Sequence, residues 1–232
     1  MKTIDKISEF TIYRLSIYKR CLEQLERENV LTISSKDFAI RFGLNSAQVR
    51  KDLAYFGEFG IRGMGYPVQT LKEQIANILG LTEGDQAQKM WKAAIIGAGK
   101  LGSALAQYKD FRKHGFEIVA VFDINLQTSA YAVQQQANLL QTSILLSPMD
   151  QLETLIAERQ IDLAMLAIPE EAAQQVVDRL VNAGIQAILN FVPVQLIVPP
   201  TVKVRTIDII AELQSLTYHL NRVRSEKTEQ KN

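Results

Sequence analysis

Residues 97–102 read Gly-Ala-Gly-Lys-Leu-Gly, and their surroundings constrain this chain more than any other feature. The apolar run Ala93-Ala94-Ile95-Ile96 before them has the form of a strand, and Ser103-Ala104-Leu105-Ala106 after them suits a helix. A second apolar segment, Glu117 to Phe122, leads to Asp123, 21 residues past Gly102. Strand, Gly-x-Gly-x-x-Gly turn, helix, strand and acid together form the full context of a dinucleotide site. Gly97 permits the tight turn, Gly99 lets the backbone approach a pyrophosphate, and Gly102 lets helix and strand pack closely. Ala98, Lys100 and Leu101 complete the turn, whose helix N-terminus faces the phosphates. Asp123 is placed to accept from the adenosine ribose hydroxyls and to repel a 2′-phosphate. The pattern predicts NAD+ and NADH as ligands.

The alternation continues to the far end of the chain. Ile144 to Leu146 reads as a strand and Met149 to Glu158 as a helix. Ile161 to Ile168 is a near-continuous apolar strand, as a buried parallel strand requires. Ala167, Ile168 and Pro169 at its end are candidate cofactor contacts. Glu170 to Asn182 is an amphipathic helix, followed by strands at Ile185 to Phe191 and Val202 to Ile207. This is an α/β Rossmann dinucleotide-binding domain over residues 90–207. Ile209, Leu213, Leu216, Leu220 and Val223 then recur at spacings of four and three, a seam of coiled-coil type on a terminal helix over 208–224. Such a seam docks on a partner subunit or packs on its own domain. Residues 225–232 read as a disordered polar tail.

The motif lies late, so about ninety residues precede it. Helical spacing at Ile4, Ile7, Phe10, Leu15, Tyr18, Leu22 and Leu25 predicts a first helix through about Glu28. Ser34-Ser35-Lys36-Asp37 has the form of a capping box before a short helix, Lys36 to Phe42, that stops at Gly43. Asn45 or Ser46 caps a third helix through Phe56. Val49, Leu53 and Phe56 would face the core, leaving Ser46, Gln48, Arg50, Lys51 and Tyr55 toward DNA. Gly57 to Tyr66 holds four glycines and suits a tight ribbon, with Arg62 and Gly63 at the tip of a wing where a narrow minor groove attracts arginine. Residues 1–80 thus read as a winged helix-turn-helix domain. The rival reading is a helical dimerisation or capping domain with a solvated charged face. Val68 to Leu79 is a fourth helix, and the polar residues 81–89 read as a linker.

Charge and composition narrow the function classes. Net charge is +1, yet residues 1–66 carry 11 Lys and Arg against 8 Asp and Glu, while the remainder carries 15 against 17. The basic surplus lies where DNA contacts are expected. Cys21 is the lone cysteine, which excludes an intrachain disulfide, and it falls on an apolar helix face. The first 30 residues carry charges throughout, and no apolar run reaches the roughly 20 residues of a membrane helix, so a cytoplasmic chain is expected. A dehydrogenase needs a proton-transfer group near the nicotinamide. Of the two histidines, His114 in a charged turn is expected at the surface, and His219 on the terminal helix at the surface or an interface. No metal-ligating cluster is apparent in the sequence. The residues predict a cofactor-binding protein that is not an enzyme. An NAD-dependent oxidoreductase with a helical appendage remains the alternative.

Several stretches together resemble one known family, the Rex redox-sensing transcriptional repressors. They are Val49-Arg50-Lys51-Asp52-Leu53, Tyr55 to Gly60, Arg62 to Tyr66, Gly97 to Gly102, Gly184-Ile185, Ile188 to Phe191 with Pro193, and Ile207-Asp208. The resemblance implies a homodimer that binds an inverted-repeat operator and is released by NADH, with a terminal helix swapped between subunits. It also implies that Arg20, Tyr108 and Asp208 couple domain geometry to the cofactor, and that Asn190 and Phe191 lie near the nicotinamide. The chain departs from the family pattern at Ser16, Asn125 and Ile209, where proline, a second acid, and leucine or phenylalanine are usual. A member that has lost DNA binding is the remaining alternative.

Overall fold

Two sequence periods, the helical one before residue 80 and mainly the strand one after residue 90, separate into two parts of the molecule. The computed structural model describes residues 7–61, 63–83, 87–126 and 144–229. It divides into a first unit, Met1–Lys89, and a second, Met90–Asn232.

The first unit contains α1 (Glu9–Arg27), β1 (Thr32–Ile33), α2 (Ser35–Phe42), α3 (Ser46–Ala54), β2 (Tyr66–Pro67), α4 (Val68–Ile78) and the short strands β3 (Thr82–Glu83) and β4 (Ala87–Gln88). Leu15, Tyr18, Leu22 and Leu25 form the buried stripe of α1, packed with Phe38, Val49, Leu53, Leu71 and Ile75. Ser8 starts α1 by accepting from the Thr11 N–H, so the helix begins later than the apolar spacing suggests. Phe10 lies five residues before Leu15, falls off the stripe, and is exposed. Ile4 lies outside the described residues. Ser34 caps α2 as expected: its hydroxyl accepts from the Asp37 N–H at 3.0 Å and donates to the Asp37 carboxylate at 2.6 Å. Gly43 ends α2 in the left-handed region (φ 63°), and Asn45, rather than Ser46, caps α3. α3 stops at Ala54, short of Phe56. Residues 82–88, read from sequence as linker, include the antiparallel pair β3–β4, with Thr82 opposite Gln88. Polar composition alone does not distinguish a two-residue ribbon from a loop.

The second unit is a six-stranded, wholly parallel sheet. Its strands are β5 (Trp91–Ile96), β6 (Phe116–Asp123), β7 (Leu145–Pro148), β8 (Leu163–Leu166), β9 (Ala187–Asn190) and β10 (Lys203–Thr206). Helices α5 (Lys100–Ala106), α6 (Asp110–Lys113), α7 (Leu152–Arg159) and α8 (Glu170–Asn182) connect them, and α9 (Ile209–Glu229) follows the last strand. The order is β10-β9-β8-β5-β6-β7, the doubly wound arrangement with its switch point between β5 and β8. Both sheet faces are covered. Ala94 and Ile96 join one core with Phe122, Leu166, Val177 and Leu180; Ala93 and Ile95 join another with Val121 and Met165. The strands are shorter than the apolar runs, which continue into flanking loop residues such as Ile161, Ala167 and Ile168. Among the described residues no helix is long and apolar enough to cross a membrane.

α9 continues through Glu229, where a disordered tail was expected from residue 225. Ser225 to Glu229 holds neither glycine nor proline and three good helix formers, so nothing ends a helix already nucleated. Residues 230–232 lie outside the described residues. Ile209, Ile210, Leu213, Leu216 and Leu220 are each more than half exposed. The side chain of Val223 lies outside the described residues.

Candidate functional site

The chain leaves β5 at Ile96 and turns sharply at Gly97 (φ 98°). A Cβ at Gly97 would stand 2.3 Å from the Ala167 carbonyl oxygen, and one at Gly102 would stand 1.7 Å from the Gly97 carbonyl oxygen. Both positions are closed to any side chain. A Cβ at Gly99 would meet nothing within 4 Å. The fold therefore needs Gly97 and Gly102, while the bare backbone at Gly99 serves the open side of the loop. Gly99 is also the N-cap of α5 and supplies no side-chain cap, leaving the first N–H groups of the helix for another acceptor.

These residues border a cavity of about 650 Å³, a size that suits a nucleotide. Gly97, Ala98, Gly99, Lys100, Asp123, Ala167, Ile168 and Pro169, all named from sequence as candidate cofactor contacts, line it. Leu101 and Gly102 are part of the loop but do not line it. The lining residues missed from sequence are Ser103, Phe122, Ile124, Asn125, Met149, Ala172 and Val176. Ala172 and Val176 lie one helical turn apart on α8, a spacing that could have pointed to them once the switch point was known. Asp123 closes the loop. Its Oδ2 accepts from the Ala98 N–H at 2.6 Å and its Oδ1 from the Asn125 N–H at 2.7 Å. A carboxylate has about four acceptor positions, so capacity remains for ribose hydroxyls.

Asn190 and Phe191 are not brought to this cavity. Asn190 is fully buried, and its side-chain amide is spent on Val192, Val194 and Thr206. Phe191 packs beside the core that contains Ile95 and Val121. Tyr108 follows α5, exposed and edge-on to Phe111 at 5.0 Å. Asp208 caps α9, its Oδ1 accepting from the Ala211 N–H at 2.9 Å. Arg20 is exposed on α1 of the first unit. His114 is half-buried rather than exposed, His219 is exposed, and neither lines the cavity.

In the first unit, Arg50 and Lys51 are exposed on α3 and Tyr55 at its C-cap, and Ser46 and Gln48 are half-buried. Arg50 donates to the Ser35 hydroxyl at 3.0 Å, joining α3 to the start of α2. Gln48 does not stand free as a base reader, because its amide nitrogen donates to Asp52 at 2.8 Å. The ribbon after α3 is a tight turn: the Ile61 N–H donates to the Gly65 carbonyl at 2.8 Å, and the Gly65 N–H returns to the Ile61 carbonyl at 3.0 Å. Gly63 (φ 83°) sits in that turn, exposed. Arg62 lies outside the described residues.

Asp52 is the functional-unit residue that motif reading left without a task. It is fully buried, yet receives five donors: Arg14 Nε at 2.6 Å and Nη2 at 2.7 Å, Tyr18 at 2.9 Å, Gln48, and Thr11 at 3.4 Å. Burial pushes its pKa up, but the bonds from Arg14, Gln48 and Tyr18 outweigh that and hold the carboxyl below its usual range. The same contact raises Arg14. Burial, then the neighbouring carboxylate, push Tyr18 up. The network fixes the roll of α3 about its axis against α1, which decides the side chains it turns outward.

A helix-turn-helix with a glycine turn after its last helix, joined to a dinucleotide fold, defines a DNA-binding protein under control of a small molecule. A family described as "Putative DNA-binding protein N-terminus" matches residues 6–54, and one described as "CoA binding domain" matches residues 88–194. The redox-sensing transcriptional repressor Rex of Carboxydothermus hydrogenoformans is 45% identical over 94% of this chain and 98% of its own length. The corresponding repressor of Desulfitobacterium hafniense is 43% identical over 95% and 98%. Among solved structures, RSP in complex with β-NAD+ and operator DNA superposes with a TM-score of 0.83 at 37% identity, covering 100% of this chain and 99% of that one. RSP in complex with β-NADH gives 0.80 at 36%, covering 98% and 99%. The chain belongs to the Rex family of redox-sensing transcriptional repressors.

Proposed function

We propose that this cytoplasmic protein represses transcription by binding operator DNA as a homodimer through residues 1–80, and leaves the operator when NADH occupies residues 90–207. The observation that carries the reading is one chain holding a cavity at a glycine turn, with room beside the Gly99 backbone, and an α3 that exposes Arg50 and Lys51, with Tyr55 exposed at its C-cap. The residues fit a dinucleotide. Backbone N–H groups from Gly99 onward face the pyrophosphate, and Asp123 accepts from the ribose. Ile168 and Pro169 form an apolar wall along the ligand. Reduction removes the positive charge of the nicotinamide, so an apolar surround favours the reduced form. Each tenfold preference corresponds to about 1.4 kcal/mol of differential binding.

On the DNA side, Lys51 and Arg50 serve phosphate and guanine contacts, with Ser46 and Tyr55 beside them and Arg62-Gly63 in the minor groove. Two half-sites require two copies of α3, and the exposed seam of α9 supports a dimer that provides them. The RSP structures with NAD+, NADH and operator DNA support this reading, as do relatives named as repressors rather than enzymes. The test is a gel-shift titration on an inverted-repeat operator. NADH is expected to release the DNA and NAD+ to leave it bound; unchanged affinity at saturating NADH would refute the sensor.

A further inference from the structure

We propose that Asn190 is a positioning residue tying the wall of the nucleotide cavity to the root of α9. This rests on the reading that NADH occupancy alters operator binding.

Asn190 ends β9 with no exposed surface and does not line the cavity. Its Nδ2 donates to the Val192 carbonyl at 2.8 Å and the Thr206 hydroxyl at 3.2 Å, and its Oδ1 accepts from the Val192 N–H at 2.9 Å. The backbone on either side extends the connection. The Asn190 carbonyl accepts from the Ile207 N–H at 2.8 Å, and the Phe191 N–H donates to the Leu166 carbonyl at 3.0 Å. Leu166 is followed by Ala167 and Ile168, which line the cavity, and the Ala167 N–H donates to the Ile96 carbonyl at 2.8 Å just before the glycine turn. Ile207 is followed by Asp208, whose carboxylate and carbonyl accept from Ala211 and Glu212 to start α9.

A continuous path therefore runs from the cavity wall through Leu166, Phe191, Asn190 and Thr206 to the first turn of the terminal helix. Only an amide supplies both the donor and the acceptor that this node uses. Leucine would strand the Val192 groups, and aspartate would lose the donor to Thr206. A buried amide committed on both sides cannot turn without leaving a partner unpaired, so displacement at one end is transmitted rather than absorbed. Coupling of this kind is a free energy shared by two sites, and is measured as one.

The experiment uses the full-length chain in three forms, wild type, Thr206→Val and Thr206→Ser, with Asn190→Asp as a fourth. For each, NADH affinity is read by fluorescence titration, and operator affinity is read with and without NADH. Thr206→Val is expected to keep its NADH affinity and its NADH-free operator affinity. Its NADH-induced loss of operator affinity should shrink by about threefold or more, the scale of one hydrogen bond. Thr206→Ser restores the hydroxyl and should restore the wild-type ratio, and Asn190→Asp should shrink it further. Hydrogen exchange of the α9 first-turn amides supplies a readout independent of DNA: NADH should slow it in wild type and not in Thr206→Val. Equal slowing in both, or an unchanged ratio in Thr206→Val, overturns the proposal, and does so even if Asn190→Asp fails to fold. Loss of the ratio in step with NADH affinity also overturns it. A wild type whose operator affinity ignores NADH refutes the sensor reading instead, while the exchange comparison still decides the role of Asn190.

Discussion

Asp52 and the three fingerprint glycines show how one residue can serve the fold, the site, or both. Removing the Asp52 carboxylate strands the buried Tyr18 hydroxyl and unpairs the partly exposed Arg14, so Asp52→Ala should cost about 1–3 kcal/mol, measurable by denaturant unfolding. Its pKa is lowered in the folded state, so its contribution is fully present above the unfolded carboxylate pKa, about 3.9, and is lost as pH falls through the lower folded value. Stability should fall across that acid window in wild type, and the fall should be reduced in Asp52→Asn. The glycines separate differently. Gly102→Ala forces a Cβ onto the Gly97 carbonyl oxygen and should lower the melting temperature, whereas Gly99→Ala should melt like wild type and lose NADH affinity. If Gly99→Ala binds NADH normally, the open side of the loop is not where the pyrophosphate lies. Asp52 was visible in the sequence only as part of a motif. An acid between Lys51 and Leu53 reads as solvated until α1 is seen to bring Arg14 and Tyr18 against it.

Among the elements, α3 and α9 carry the two interactions the proposal needs. Alanine at both Arg50 and Lys51 should weaken operator binding and flatten its salt dependence by roughly one unit of log slope per phosphate contact removed. An unchanged slope would remove α3 from the interface. Gln48, turned back to Asp52, should contribute to the roll of the helix more than to base readout. On α9, Leu216→Asp places a charge in the exposed seam, and sedimentation should show a dimer turned to monomer. Elements with a strong period were read well from sequence: α1, α8 and the buried strands have one apolar spacing and few rivals. β3, β4 and the last turn of α9 were not, because two-residue pairings and helix ends in polar sequence carry no periodic signal.

For the whole molecule, the order of modules was more legible than their internal bonds. The glycine fingerprint, the run of parallel-type strands and the helix-turn-helix spacing together specify a nucleotide fold behind a DNA-binding domain. The cavity walls contributed by Ala172, Val176 and Met149 stayed hidden, because they reach the site only through the packing of α8 on the sheet and the turn that follows edge strand β7. That same sheet order places β6 directly beside β5, so the acid ending one strand grips the loop leaving the other at 2.6 Å. Asp123, which we propose selects the ligand, is thus also a strut of the loop proposed to receive it. A lineage drifting toward a 2′-phosphorylated cofactor could not simply exchange this acid for a neutral residue. The first substitution would loosen the loop before any new preference existed, and the intermediate would hold neither nucleotide well. On that assignment, cofactor choice in this chain is guarded by mechanical necessity as well as by charge.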